Sequence, residues 1–379
     1  MVESVLIIFA LLLLGAKVLE FVAESIGFPP LLGQILAGIL LGPVLGFVAI
    51  QNGILDFLSI AIIFVLFLAG LEVKSNDLQE RLYESSAVAF GADILSLAMG
   101  FALGYFLLHS VIAGLAIGVI IISTSNDSLF SLLLKTGKLK TTIGKFIVST
   151  NIADDVIGVL SISFFTMYVV YSHVIVTDLA KLFLISIGIY LFVLTVGSKI
   201  NRAILNFVST LKDEQLFLAV PVVIAFLLSY VTQNVGLSIA AGAFLAGTTM
   251  SNTSFTESII KPKVETLANS FFVPLFYAAI GSILVMTNLN LSILIGVLVV
   301  SIFGKYIGAY VSSFLIGFKH EDSHLLGICM IPRGNDNIII AQIVLSLGVI
   351  SLSIYSSVIF ALIGTTILTP LLMKLAERR

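Results

Sequence analysis

Two stretches decide how this chain folds: Ser123-Thr124-Ser125-Asn126-Asp127-Ser128 and Pro332-Arg333-Gly334-Asn335-Asp336-Asn337. Each interrupts an apolar run long enough to cross a membrane, the first at 111–134 and the second at 323–347. No helix keeps that polarity against lipid. Unwound backbone at membrane depth is tolerated where it lines a cavity, and the half-helix ends beside it carry partial charges. The two stretches therefore predict a membrane protein with two broken helices at its centre.

The rest of the composition agrees. Of 379 residues only 11 % are charged, 19 Lys/Arg and 21 Asp/Glu, against about 25 % in a soluble domain. Hydrophobic residues make up 59 % and the mean hydropathy is +1.18. Too few charges remain for a soluble protein's polar skin, and a disordered chain would need low hydrophobicity and high charge. A net charge of −2 argues against nucleic acid as a partner. The single cysteine, Cys329, excludes a disulfide framework and a thiolate metal cluster.

The apolar stretches are long and unbroken, which selects helices over barrel strands. Thirteen segments emerge, near 4–24, 30–49, 54–73, 84–109, 111–134, 142–171, 178–198, 213–232, 236–250, 264–286, 290–316, 323–347 and 352–375. Little is left over for a soluble domain. With Glu3 and no basic residue ahead of the first segment, a cleaved signal peptide is not expected. Of the 19 basic residues, 15 lie after the third, fifth, seventh, ninth and eleventh segments and at the C-terminus. The connections on the other side hold none. The positive-inside rule then places the N-terminus outside and the C-terminus in the cytoplasm of a cell-membrane protein, which an odd segment count requires.

The two halves resemble each other. Leu36-Ala37-Gly38 matches Ala240-Ala241-Gly242, Ala69-Gly70 matches Ile280-Gly281, and Ser125-Asn126-Asp127 matches Gly334-Asn335-Asp336. The offsets are 204, 211 and 209 residues. Six segments per repeat with the seventh as linker makes the second repeat upside down relative to the first. Inverted repeats of this kind are a transporter signature.

A charge at the bilayer centre costs roughly 2.5 kcal/mol or more, so each one is a candidate for function. Asp154-Asp155 lie within Thr150-Asn151-Ile152-Ala153-Asp154-Asp155. On a helix they point about 100° apart, and Asn151 shares a face with Asp155. Two carboxylates this close repel unless a proton or a cation is shared between them. A site of that kind binds one or the other, which is the physical basis of cation/proton exchange. The structural alternative gives one aspartate to a lysine and the other to a broken helix end. Lys305, in Phe303-Gly304-Lys305-Tyr306, is too deep to snorkel and needs an acid, with Asp154 or Asp155 the first candidates. Thr124 and Ser125 offer oxygens to a hard cation. Asp127 and Asp336 suit positive helix N-termini, and Arg333 a negative C-terminus. Asp93 reads as a structural hydrogen-bonder rather than an ion ligand. His320 and His324 stand four apart but without further metal ligands nearby.

No Ser/His/Asp catalytic signature is present, and intramembrane proteases carry their paired aspartates on separate helices, so an enzyme is not expected. No cofactor is expected either.

These residues resemble the monovalent cation:proton antiporter superfamily, in the branch of NapA-type sodium/proton antiporters and Kef-type potassium/proton systems. The motifs that carry the resemblance are Gly27-Phe28-Pro29-Pro30 through Gly42-Pro43, Phe67-Leu68-Ala69-Gly70-Leu71-Glu72, Asp154-Asp155, Gly304-Lys305 and Met330-Ile331-Pro332-Arg333-Gly334. The resemblance implies that the fifth and twelfth helices cross, with Thr124 near the ion. It implies that Asp155 carries the cation and proton, and that Asp154 is its neighbour and the partner of Lys305. It further implies a homodimer in the lipid bilayer. Residues 1–80 and 178–286 would form the dimerisation scaffold and linker, and 84–171 and 290–376 a core that moves elevator-fashion. Aspartate at 154 with a lysine partner implies electrogenic exchange of Na⁺, or of Li⁺, for H⁺. Two departures stand out: Asn335-Asp336 where the family usually continues with Glu, and the extra acid Asp127. Potassium/proton exchange, a cation channel or sensor, and a sodium-coupled solute symporter are the alternatives.

Overall fold

The computed structural model describes residues 5–48, 52–72, 82–125, 129, 133, 137–138, 141–170, 188, 192–211, 213–234, 239–251 and 253–376. Among these residues all regular structure is helical. The helices are α1 (Val5–Ser25), α2 (Pro30–Ile39), α3 (Asn52–Glu72), α4 (Leu82–Leu108), α5 (Val111–Ile120) and α6 (Thr142–Val170). After them come α7 (Ser198–Thr210), α8 (Leu216–Asn234), α9 (Ile239–Met250), α10 (Lys261–Leu267) and α11 (Val273–Ile283). The last four are α12 (Leu291–Leu315), α13 (His320–Cys329), α14 (Asn335–Ser346) and α15 (Leu352–Ala376). Seven of the described helical stretches are long and apolar enough to cross a membrane, and four shorter apolar ones accompany them. Most of the seventh predicted segment, and most of the fifth beyond Ser125 with Asp127, lie outside the described residues.

The side chains sort by helical period. On α12, Leu291, Ile295, Val299, Phe303, Ile307 and Val311 form an exposed stripe at i, i+4 spacing. Ile293, Val297, Ser301, Gly304, Lys305 and Gly308 form the buried one. The outward stripe suits lipid, and the inward stripe is where a charge can be kept.

One region departs from the sequence expectation. Residues 199–212 read as a connection because they are polar, yet α7 occupies 198–210. Asn201, Leu205 and Val208 recur at i, i+4, i+7 and are buried, while Lys199 and Arg202 are exposed. The Asn201 amide donates to Thr249 Oγ1 at 2.7 Å. An amphipathic helix of this kind fails an average-hydropathy criterion and satisfies a periodicity one.

The chain divides into two compact units. The first comprises Met1–Val22, Gly33–Asn76 and Ser163–Ile283; the second comprises Ala23–Leu32, Asp77–Ile162 and Leu284–Arg379. Within the first, glycines set the helix spacing. A Cβ at Gly281 on α11 would lie 3.0 Å from Gly38 Cα on α2, and one at Gly70 on α3 would lie 3.0 Å from Gly247 Cα on α9. In each case a backbone carbonyl of the facing helix is closer still, that of Ile35 and that of Phe244 respectively. A side chain there must displace backbone, which a packed interior resists. Gly281→Val is expected to destabilise by about 3 kcal/mol, read as a lowered thermal midpoint of the detergent-purified protein. Gly15→Ala, which meets only the movable end of Leu41, is expected to stay close to the parent.

Candidate functional site

Lys305 lies on the inward stripe of α12, and its flanking glycines explain where it reaches. A Cβ at Gly308 would sit 2.7 Å from Ala92 Cα, and one at Gly304 3.1 Å from Ser96 Cα, so α12 lies close against α4. The Lys305 ammonium, fully buried, bonds Oδ1 of Asp93 on α4 and Oδ1 of Asp154 on α6. One cation thus pins three helices. Both acids are as buried as the lysine, Asp93 at 1 % exposure and Asp154 at 0 %. Asp93 is therefore the ion-pair partner of Lys305 as well as the structural hydrogen-bonder its local sequence suggests. Its partner lies 212 residues away in sequence, and only helix packing brings the two together.

Asp154 uses its second oxygen as well. Oδ2 accepts from the backbone N–H of Thr124 at 2.7 Å. That amide belongs to the first polar interruption, where α5 has ended at Ile120 and the chain runs on outside regular helix through Ser125. Asp155, the next residue on α6, is half-buried. Asn151 stands one turn before it and is 1 % exposed.

The two interruptions lie against each other. The Ser125 N–H donates to the Pro332 carbonyl at 2.8 Å, and Thr124 Oγ1 to the Met330 carbonyl at 3.3 Å. Proline has no N–H of its own, so the backbone at 332 can offer only its carbonyl. Gly334 passes so close to the Ser125 side chain that a Cβ there would stand 2.7 Å from Ser125 Cβ. Asn337, in the first turn of α14, closes the arrangement. Its Nδ2 donates at 2.9 Å to the carbonyls of both Ile120 and Ser123, at the C-terminal end of α5. Its Oδ1 accepts the Gly334 N–H at 3.0 Å. One amide thus serves carbonyls at a helix end, which have no intrahelical donors, and the N–H at the start of the opposite half-helix.

Arg333 is completely buried. Its guanidinium donates to the Met330 carbonyl at 3.0 Å, just past the end of α13, and to the Ser301 carbonyl at 2.9 Å. A cation at a helix C-terminus is electrostatically favourable. Its backbone is held by the neighbouring hydroxyls of α15: its N–H donates to Thr365 Oγ1 at 3.2 Å, and its carbonyl accepts from Thr366. Asp336 sits in the first turn of α14, half-buried. Sequence reading passed over Asn337, Ser301, Thr365 and Thr366. Asn337 was within the quoted polar stretch, and the Thr365-Thr366 pair inside an apolar segment was the available signal for the hydroxyls.

His320 and His324 take no part in this site. Nδ1 of His324 is hydrogen-bonded to the Tyr306 hydroxyl at 2.6 Å. Among the described residues no three His, Cys, Asp or Glu side chains are grouped to hold a metal ion.

Asp154 meets the first interruption at Thr124, with Asn151 and Asp155 beside it on α6 and Ser125 next to Thr124 in the chain, and all five side chains carry oxygen. Oxygen donors suit a hard, weakly selective cation, and a carboxylate can take a proton in its place.

Residues 7–374 match the family model described as sodium/hydrogen exchanger, transmembrane. The chain is 27 % identical to the Na⁺/H⁺-K⁺ antiporter GerN of Bacillus cereus over 368 residues, covering 96 % of this chain and 94 % of that one. It is 26 % identical to a Na⁺/H⁺ antiporter of Enterococcus hirae over 370 residues, covering 97 % and 96 %. The fold is similar to that of the sodium proton antiporter MjNhaP1 of Methanocaldococcus jannaschii. The TM-score is 0.71 at 14 % identity, over 97 % of this chain and 95 % of that one.

Proposed function

Since the chain belongs to the transmembrane sodium/hydrogen exchanger family, a family of multi-pass transporters rather than enzymes, we propose that it exchanges Na⁺ for H⁺ across the cell membrane. The observation that carries this reading is the placing of the two adjacent aspartates. Asp154 is engaged on both oxygens, by Lys305 and by the Thr124 N–H, while Asp155 beside it is half-buried. Asp155 is the group that takes a proton or a cation in turn. Asp154, Thr124, Ser125 and Asn151 supply the remaining oxygens for Na⁺, with Li⁺ as a second cargo. The bare Asp155 carboxylate resists crossing, because a charge at the bilayer centre costs roughly 2.5 kcal/mol or more. Protonated or cation-loaded, the site crosses more readily, and this couples the two fluxes.

The movement we propose is elevator-like. Asp93, Thr124, Asp154, Asp155, Lys305, Arg333 and Asn337 all fall within one compact unit, Ala23–Leu32 with Asp77–Ile162 and Leu284–Arg379, which can carry the site as a body. Residues 84–171 and 290–376 are then the core, and 1–80 and 178–286 the linker and the scaffold of a homodimer. Thirteen crossings, with the N-terminus outside and the C-terminus cytoplasmic, complete the arrangement. Asp127, Asp336 and Arg333 balance the half-helix ends of the crossover. Displacement of Lys305 from Asp154 by the cation supplies the route to electrogenic exchange.

The inverted repeat is supported by the glycines. Gly38 faces Gly281, and Gly247 faces Gly70, so each helix of one half meets the counterpart of its neighbour in the other. This pairing aligns Leu36-Ala37-Gly38 with Leu245-Ala246-Gly247, at an offset of 209 residues. The match to Ala240-Ala241-Gly242 lies at 204, and that of Ala69-Gly70 to Ile280-Gly281 at 211.

Potassium is the second reading, favoured by the likeness to the Na⁺/H⁺-K⁺ antiporter of Bacillus cereus. Everted vesicles with a pH-sensitive dye decide among the cargoes. Addition of Na⁺ or Li⁺ is expected to dissipate a preformed proton gradient. A response to K⁺ alone would transfer the reading to potassium/proton exchange. Ion current without proton movement would replace it with a channel.

A further inference from the structure

Resting on the exchange reading above, we propose that Asp93 sets the cation affinity of the site by sharing Lys305 with Asp154. It is a positioning residue that acts through the lysine.

Three observations carry this. Lys305 holds both acids at once, through bonds from the same ammonium to Asp93 Oδ1 and Asp154 Oδ1. Asp93 has no competing duty of that kind: its Oδ2 is buried and has no hydrogen-bond partner among the described residues. Its place is set by the close approach of α12 to α4 at Gly304 and Gly308, which keeps Asp93 beside Lys305 whatever Asp154 is doing.

The consequence is electrostatic. A cation that takes Asp154 must compete with Lys305 for it. An ammonium has three donors but one charge, and a second acid divides its attraction. Lys305 therefore holds Asp154 less firmly than it would as an exclusive pair. When the cation takes Asp154, Lys305 keeps Asp93 and is not left as a buried charge without a counter-charge, a state that is strongly unfavourable. Both effects raise cation affinity. Removing the Asp93 charge reverses both and leaves Asp155 untouched.

The test measures Na⁺ dependence in two ways: dye-reported exchange in everted vesicles, and Na⁺-dependent thermal stabilisation of the purified protein in detergent. Asp93→Asn keeps the shape and the hydrogen bond and loses the charge. It is expected to raise the KM for Na⁺ about tenfold, with a much smaller change in maximal rate. The Na⁺ concentration giving half of the stabilisation is expected to rise by the same factor. Asp93→Glu restores the charge and is expected to bring KM back toward the parent. A fall in rate at every Na⁺ concentration with KM unchanged is what a merely structural residue gives, and it overturns the proposal. So does an unchanged half-stabilising concentration. If the parent protein itself shows no Na⁺-driven proton movement, the exchange reading fails and takes this proposal with it. If the parent exchanges and Asp93→Asn has the parent's KM, the proposal fails alone.

Discussion

Asp155→Asn is expected to reduce Na⁺-driven proton movement in everted vesicles to background, a loss of at least about a hundredfold. The amide is nearly isosteric with the carboxylate, so packing on α6 barely changes. What is lost is the one function the site cannot replace, a charge that binds either H⁺ or Na⁺. Asp154 does not substitute for it. Its oxygens are committed to the Lys305 ammonium and the Thr124 N–H, both inside the fold. Freeing both oxygens would leave the Thr124 N–H at the start of the crossover unpaired. The variant protein is expected to keep its parent thermal midpoint in the absence of Na⁺, which separates loss of chemistry from loss of fold. Retained Na⁺-driven dissipation would remove Asp155 from the mechanism.

Lys305→Met is expected to have the largest effect on stability. Methionine fills much of the lysine's volume but leaves Asp93 and Asp154 buried at 1 % and 0 % exposure without their shared cation. Removing one partner of a buried ion pair costs about 3–5 kcal/mol, because the remaining charge is uncompensated. For a chain of this size that corresponds to a fall in thermal midpoint of about 5 °C. Na⁺ is expected to recover part of the loss, since it supplies a cation that Asp154 then lacks. A midpoint within 2 °C of the parent would mean that the three-helix ion network contributes little to the fold.

Much of this architecture was legible in the residues, and for identifiable reasons. Hydropathy marks membrane helices well because the bilayer leaves the backbone few alternatives. The polar runs around Thr124 and Arg333 were visible because such residues against lipid have no other explanation. Asp154 and Lys305 stood out because buried charge is costly. Other features were hidden. Residues 199–212 read as a connection because their average polarity concealed a helical period. Asp93 read as a structural hydrogen-bonder without a named partner because its ammonium is contributed by a helix 212 residues on. Asn337 carried no charge to draw attention, yet it spans the two broken helices through three hydrogen bonds.

The division follows from the range of the forces. Sequence alone determined what the solvent decides residue by residue: which stretches enter lipid, where helices must break, and which charges are too costly to be accidental. Tertiary structure decided which of those charges belong together. Asp93, Asp154 and Lys305 are separated by 61 and 151 residues along the chain. No local pattern records that Gly304 and Gly308 bring α12 close enough to α4 for one ammonium to serve two carboxylates. Burial energy made each charge conspicuous, and close helix packing alone chose its partner.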